Sequence, residues 1–143
     1  MGRGAKRKGT RWENEVVKIL DDEGGGEWRR IPGSGAMAHF LKDASFNSDV
    51  VGVYPWWNKE IRGECKYGYG TDKSMSVKRE WITKIREEAK ESRAFPCLLI
   101  KFKNVRDDPN TAKLICFNFD TWIELMEEVN DVYEELLERL ENE

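Results

Sequence analysis

Asp49, Glu64 and Lys66 are the side chains of this sequence whose types and spacing suit chemistry. Paired carboxylates bind Mg²⁺, which takes oxygen ligands and keeps several waters. A cation held that way activates a water and neutralises charge on a phosphate. An ammonium beside it orients the water or stabilises the developing charge. The plain alternative for an acid-x-lysine triplet is a charged strand end carrying a surface ion pair, a feature contributing about 0–1 kcal/mol.

The elements that must position these residues are written around them. A β-branched run follows Asp49, residues 55–58 (Pro-Trp-Trp-Asn) supply turn chemistry, and a second extended run ends in Glu64-Cys65-Lys66. Two extended runs joined by a short turn predict a hairpin over residues 49–66. Side chains alternate along a strand, so Glu64 and Lys66 share one face and Cys65 points to the other. Pairing in register brings Asp49 toward the face of Glu64.

The first helix is predicted to begin at Thr10, where Thr10-Arg-Trp-Glu13 matches a capping box. Val16, Val17 and Leu20 make its apolar stripe, and Glu13 projects along that stripe. Glu13 therefore has two readings, a cap or an acid aimed at the sheet. Glu15 is turned by about 200° around the helix and faces elsewhere. Gly24-Gly25-Gly26 ends the helix, and residues 27–31 read as a strand. The loop Pro32-Gly33-Ser34-Gly35 is rich in backbone donors, and residues 36–48 read as a mobile surface stretch. A second helix is predicted over 76–91, with Trp81, Ile82, Ile85 and Ala89 inward and Lys78, Arg79, Lys84, Arg86 and Lys90 on its basic side. Residues 95–102 form a continuous apolar run, the pattern of a buried strand. Another strand is predicted over 113–119. A last helix follows, capped by Asp120 or Thr121, with Met126, Val129, Tyr133, Leu136 and Leu140 at seam spacing.

At 143 residues the chain fits one domain, 1–143, with a flexible basic arm over 1–9 and an acidic helix over 120–143. No apolar run approaches the roughly 20 residues needed to span a membrane, no secretory h-region opens the chain, and no membrane partner or organic cofactor is expected. Three cysteines without paired spacing argue against a disulfide framework or a zinc site and read as buried thiols of a cytoplasmic protein. His39 falls in a predicted loop and is assigned no role. The net charge of −3 conceals an asymmetry. Residues 120–143 hold ten acids and one base, which leaves 23 bases and 17 acids for the rest of the chain. That basic remainder is the candidate nucleic-acid face. Residues 1–11 contribute Arg3, Lys6, Arg7, Lys8 and Arg11 without a single acid, a composition that suits phosphate or merely keeps a tail soluble.

Taken in order, these pieces resemble the archaeal-type Holliday-junction resolvases of the PD-(D/E)XK nuclease superfamily. The match runs over residues 7–119: Arg7-x-Gly9-x-x-x-Glu13-x-Glu15, Arg30-x-x-Gly33-Ser34, Asp49-Val-Val, Glu64-Cys-Lys66, the basic helix, and Pro96-Cys-Leu-Leu-Ile-Lys-Phe. The resemblance implies an α/β, restriction-endonuclease-like core, a mixed central sheet flanked by helices, with the acidic C-terminal helix as an addition. It implies that Glu13, Asp49, Glu64 and the carbonyl of Cys65 hold Mg²⁺, with Mn²⁺ as a substitute, and that Lys66 acts near the attacking water. Ser34 would sit by the scissile phosphate and Arg30 on the DNA backbone, with Arg3, Lys6, Arg7, Lys8 and Arg11 as further DNA contacts. The implied partner is branched DNA, and the implied assembly is a homodimer that nicks opposed strands of a four-way junction. Its surface is expected at Trp56-Trp57 or along the 126–140 seam. The chain departs from the pattern at Ser48, where the superfamily has its proline, at Asn14, where an arginine is usual, and in the length of the loop over 35–48. Two rivals follow from the same residues: another nuclease of the superfamily, restriction-type or single-strand, and a DNA-binding module that has lost catalysis.

Overall fold

The computed structural model describes residues 3–31 and 48–143. Helix α1 (Arg3–Glu23) precedes strand β1 (Glu27–Arg30). Strands β2 (Val50–Val53) and β3 (Glu60–Tyr67) form the predicted hairpin. Helix α2 (Arg79–Glu91) leads to β4 (Phe95–Lys101), and β5 (Lys113–Cys116) to helix α3 (Phe119–Glu141). The five described strands lie in the order β1-β2-β3-β4-β5. Among them only β3 and β4 pair parallel, which needs a crossover, and α2 supplies it. The expected mixed central sheet flanked by helices is what the structure contains.

Alternation along β4 builds a core on each face of the sheet. Phe95, Cys97 and Leu99 pack with Trp12 and Val16 of α1. Leu98 and Ile100 pack with Trp81 and Ile85 of α2. Each such side chain contributes about 1.5–3 kcal/mol on burial. The indole N–H of Trp12 donates to the Leu99 carbonyl at 2.9 Å, fixing α1 across the middle of the sheet. Gly63 is required beside Glu64, since a Cβ there would lie 2.5 Å from Leu99 Cδ1.

The helix starts differ from expectation. Residues 3–9, expected as a flexible arm, are the first turns of α1. Ala, Lys and Arg favour helix enough to carry it through Gly4 and Gly9. Thr10 is thus inside the helix, and the Thr10–Glu13 capping box is not a cap. Helix α2 starts at Arg79, three residues late, after an isolated Gly70–Met75 bridge draws the preceding chain into an extended path. Asn118 rather than Asp120 or Thr121 is the cap of α3, and the Thr121 hydroxyl donates back to its side chain at 2.5 Å. Strand β5 ends at Cys116, three residues before the expected limit. No helix among the described residues is long and apolar enough to cross a membrane.

Candidate active site

Val50 lies opposite Gly63 in the hairpin, so Asp49 falls beside Glu64 on the α2 side of the sheet. Asp49 is held by its backbone: its amide donates to the Gly63 carbonyl at 3.0 Å and its carbonyl accepts from Ile31 at 2.8 Å. Its carboxylate accepts from the Cys65 amide at 2.9 Å. Burial, and then the negative charge of Glu64, push the Asp49 carboxyl up to about 7, against the pull of that amide. Glu13 adds to the push from α1.

Glu64 is buried, its side chain only 5% exposed. Its Oε1 meets two ammonium groups, Lys66 at 3.3 Å and Lys84 at 3.2 Å. Its Oε2 is buried with no hydrogen-bond partner among the described residues. An unfilled buried acceptor costs about 1–3 kcal/mol. Lys66 shares the face of Glu64, as alternation requires, and its ammonium stands 5.0 Å from the Trp81 ring and 5.4 Å from that of Tyr69. The Cys65 side chain points the other way, toward the core beneath α1. Burial and the charge of Asp49 push its thiol up, so it stays neutral.

Glu13 reaches the same end of the sheet from α1 and takes the guanidinium of Arg30 at 2.8 Å. Both residues stand out in the sequence, and the structure pairs them with each other. Glu15 faces elsewhere, as expected, and bonds Lys101 and Lys113. Arg3, Lys6, Arg7 and Lys8 belong to the first turns of α1, and Arg11 is exposed further along it. Ser34 and His39 lie outside the described residues.

Two residues near Glu64 are not predicted by the sequence pattern. Lys84, expected on a solvated basic face, turns its ammonium to Glu64 and lies 3.7 Å from Glu88. Burial opposes its charge, but Glu64 and Glu88 outweigh that and raise its pKa. Glu88 is half-buried, and its Oε2 accepts from the Ser48 amide at 2.9 Å. Burial raises its carboxyl above the usual range although Lys84 opposes. The i,i+4 spacing of Lys84 and Glu88 was the available signal. Nothing local shows that such a pair faces a strand.

Mg²⁺ binds through one or two carboxylates and fills its shell with water. Asp49 and the unfilled oxygen of Glu64 are such donors, so the residues fit a divalent cation. Glu13 is not gathered with them; among the described residues no group of three acids, cysteines or histidines could hold an ion as it stands.

The family model "Phage putative PDDEXK endonuclease" matches residues 4–139. The chain belongs to that PDDEXK family. No curated protein matches the chain. Among solved structures it is similar to that of Hjc from Archaeoglobus fulgidus, a Holliday junction resolvase of an archaeal hyperthermophile, determined at 1.6 Å. The two chains are 14% identical, the match covers 78% of this chain and 84% of that one, and the TM-score is 0.49.

Proposed function

We propose that this PDDEXK endonuclease hydrolyses DNA phosphodiesters with Mg²⁺ held by Asp49 and Glu64, and that its substrate is a four-way junction. The observation that carries the first part is the unfilled, buried Oε2 of Glu64 beside Asp49 and Lys66. Acids crowded so that one carboxyl rises to about 7 are costly to fold and useful to a divalent cation. The bound ion would supply charge on the phosphate and an acidified water. The protein's own residues do the rest. The Cys65 amide orients Asp49, the two lysines orient Glu64, and the aromatic walls of Tyr69 and Trp81 keep the Lys66 ammonium beside the reacting centre. Glu13 is a third acid of the site once Arg30 turns from it to a phosphate, and Ser34 and the bases of α1 complete the DNA contacts.

The junction as substrate rests on the ordered resemblance over residues 7–119. One site per subunit and two symmetric strands call for a two-fold dimer. Of the two stretches expected to form it, the first has Trp57 packed into the core and Trp56 half-exposed. On α3, Leu125 packs inward, but Tyr133, Leu136 and Leu140 are exposed, an apolar face suited to a second copy. Matched duplex, single-strand, flap and four-way substrates incubated with Mg²⁺ test this reading. Preferred, paired nicking of the four-way substrate supports it. Cleavage of duplex or single strands alone favours a restriction-type or single-strand nuclease. Binding without cleavage would leave the inactive module. Sedimentation at several concentrations tests the dimer; a monomer that makes paired nicks in one binding event would overturn it.

A further inference from the structure

Ser48 has no homologous role in the motif chemistry, yet its surroundings are built. It is 1% exposed and sits immediately before Asp49. Its φ is +73°, in the left-handed region that a residue with a Cβ rarely enters. Its hydroxyl donates to the Val50 carbonyl at 3.0 Å, and its neighbour Asp49 is laced to Ile31, just after β1, and to Gly63 of β3. A further contact comes from another element: its amide donates to Glu88 Oε2, 40 residues away on α2. Glu88 also lies 3.7 Å from Lys84, whose ammonium bonds Glu64.

A carboxylate beside Glu64 and Asp49 is electrostatically out of place, since each acid raises the cost of ionising the others. A neutral or apolar residue on this half-buried turn of α2 would serve the core better. What Glu88 reaches is both halves of the acid pair, through Ser48 to Asp49 and through Lys84 to Glu64. We infer that Glu88 is a positioning residue that sets the geometry of the cation site from α2, chiefly by gripping the Ser48 amide and so aiming the Asp49 carboxylate. The inference rests on the proposal that Asp49 and Glu64 hold a divalent cation.

The test uses the full chain with three variants, Glu88→Ala, Glu88→Gln and Asp49→Asn, and reads Mn²⁺ affinity by the paramagnetic signal of the free ion, with DNA cleavage in parallel. Partners that orient metal ligands are worth roughly 10–100-fold in affinity or activity. Glu88→Ala is expected to lose that much in Mn²⁺ affinity and in kcat, with KM for DNA unchanged. Glu88→Gln, whose amide oxygen still accepts from Ser48, is expected to recover most of both. Within the Asp49→Asn background, whose residual Mn²⁺ affinity through Glu64 is read at higher ion concentrations, Glu88→Ala should cost much less than in the parent, because the residue it chiefly aims is gone. Parent-like behaviour of Glu88→Ala, equal damage from Gln and Ala, or additive losses in the double variant would each overturn the inference. Should Glu88→Ala fail to fold, Glu88→Asp stops one methylene short of Ser48 and must show the same pattern in weaker form. A parent that binds Mn²⁺ but cuts no DNA defeats the nuclease reading and leaves Glu88 testable in the binding data. A parent that cuts while Glu88→Ala matches it defeats only the Glu88 role.

Discussion

Glu15 lies between two lysines, Lys101 Nζ at 2.6 Å and Lys113 Nζ at 2.9 Å. Burial works to raise its carboxyl, but the two hydrogen-bonded ammonium groups outweigh it and hold the pKa below the usual 4.5. Asp49 sits across the sheet in the opposite condition, with burial and Glu64 pushing its carboxyl up to about 7. Both acids are drawn against the same sheet, Glu15 at β4 and β5 and Asp49 at β3. At Glu15 one negative charge meets two positive ones, and the product is a clasp tying α1 to β4 and β5. Around Glu64 three acids, Asp49, Glu64 and Glu88, crowd about Lys84 and Lys66, and one oxygen of Glu64 is left unfilled. An acid that serves the fold is matched by cations of the chain. The acids of the site outnumber theirs, which under the proposed function suits them to a cation from solution.

The comparison breaks hardest at Glu64. Glu64→Gln and Asp49→Asn should each nearly abolish cleavage, because the cation that would activate the water loses a ligand, with junction binding retained. Either variant cutting at near the parent rate would remove the distinction between the two regions. Glu15→Gln is expected to do the reverse, leaving cleavage intact and reducing stability by at most about 1 kcal/mol, since the pair is partly exposed and screened. A denaturant titration beside a cleavage assay measures both.

The two acids should also have opposite pH signatures in metal-free protein. Asp49 has a folded pKa above its unfolded value of 3.8, so the folded state holds the extra proton, and its contribution is lost as pH rises from there through about 7. Glu15 has a lowered folded pKa, so its contribution is present above 4.5 and lost as pH falls through the folded value. Melting temperatures against pH should show the upper slope fall in Asp49→Asn, leaving the smaller part due to the raised Glu88 carboxyl, and the lower one shrink in Glu15→Gln. A parent slope that survives undiminished in Asp49→Asn would place the titrating group elsewhere.

A smaller effect is expected from deleting residues 1–8, which takes Arg3, Lys6, Arg7 and Lys8. Affinity for DNA should fall, with the slope of log K against log salt reduced by about 0.9 for each phosphate no longer neutralised. An unchanged slope would make this end of α1 a solubilising segment.

Much of this contrast was legible in the sequence because it follows from periodicity. The two-residue repeat of β3 put Glu64 and Lys66 on one face, and the helix angle separated Glu13 from Glu15. Which cations answer which acids was not legible. Arg30 and Glu13 looked like separate ligands of DNA and metal, yet they meet across 17 residues. Lys84 looked like one base of a solvated face and Glu88 carried no reading, because the side of α2 that meets β3 is settled by the crossover into the parallel strand. The capping box at Thr10 misled for a related reason: cap spacing is local, and the helix had already begun at Arg3.

The most direct measurement is the melting temperature of metal-free protein at pH 8 as Mg²⁺ or Mn²⁺ is added. A ligand that binds only the folded state stabilises it, by about 2.7 kcal/mol at one hundred times its Kd. The parent and Glu15→Gln should rise together along the same curve, while Asp49→Asn and Glu64→Gln stay flat. A rise in Asp49→Asn and Glu64→Gln equal to the parent's would contradict the claim that the crowded acids of this sheet are its cation site.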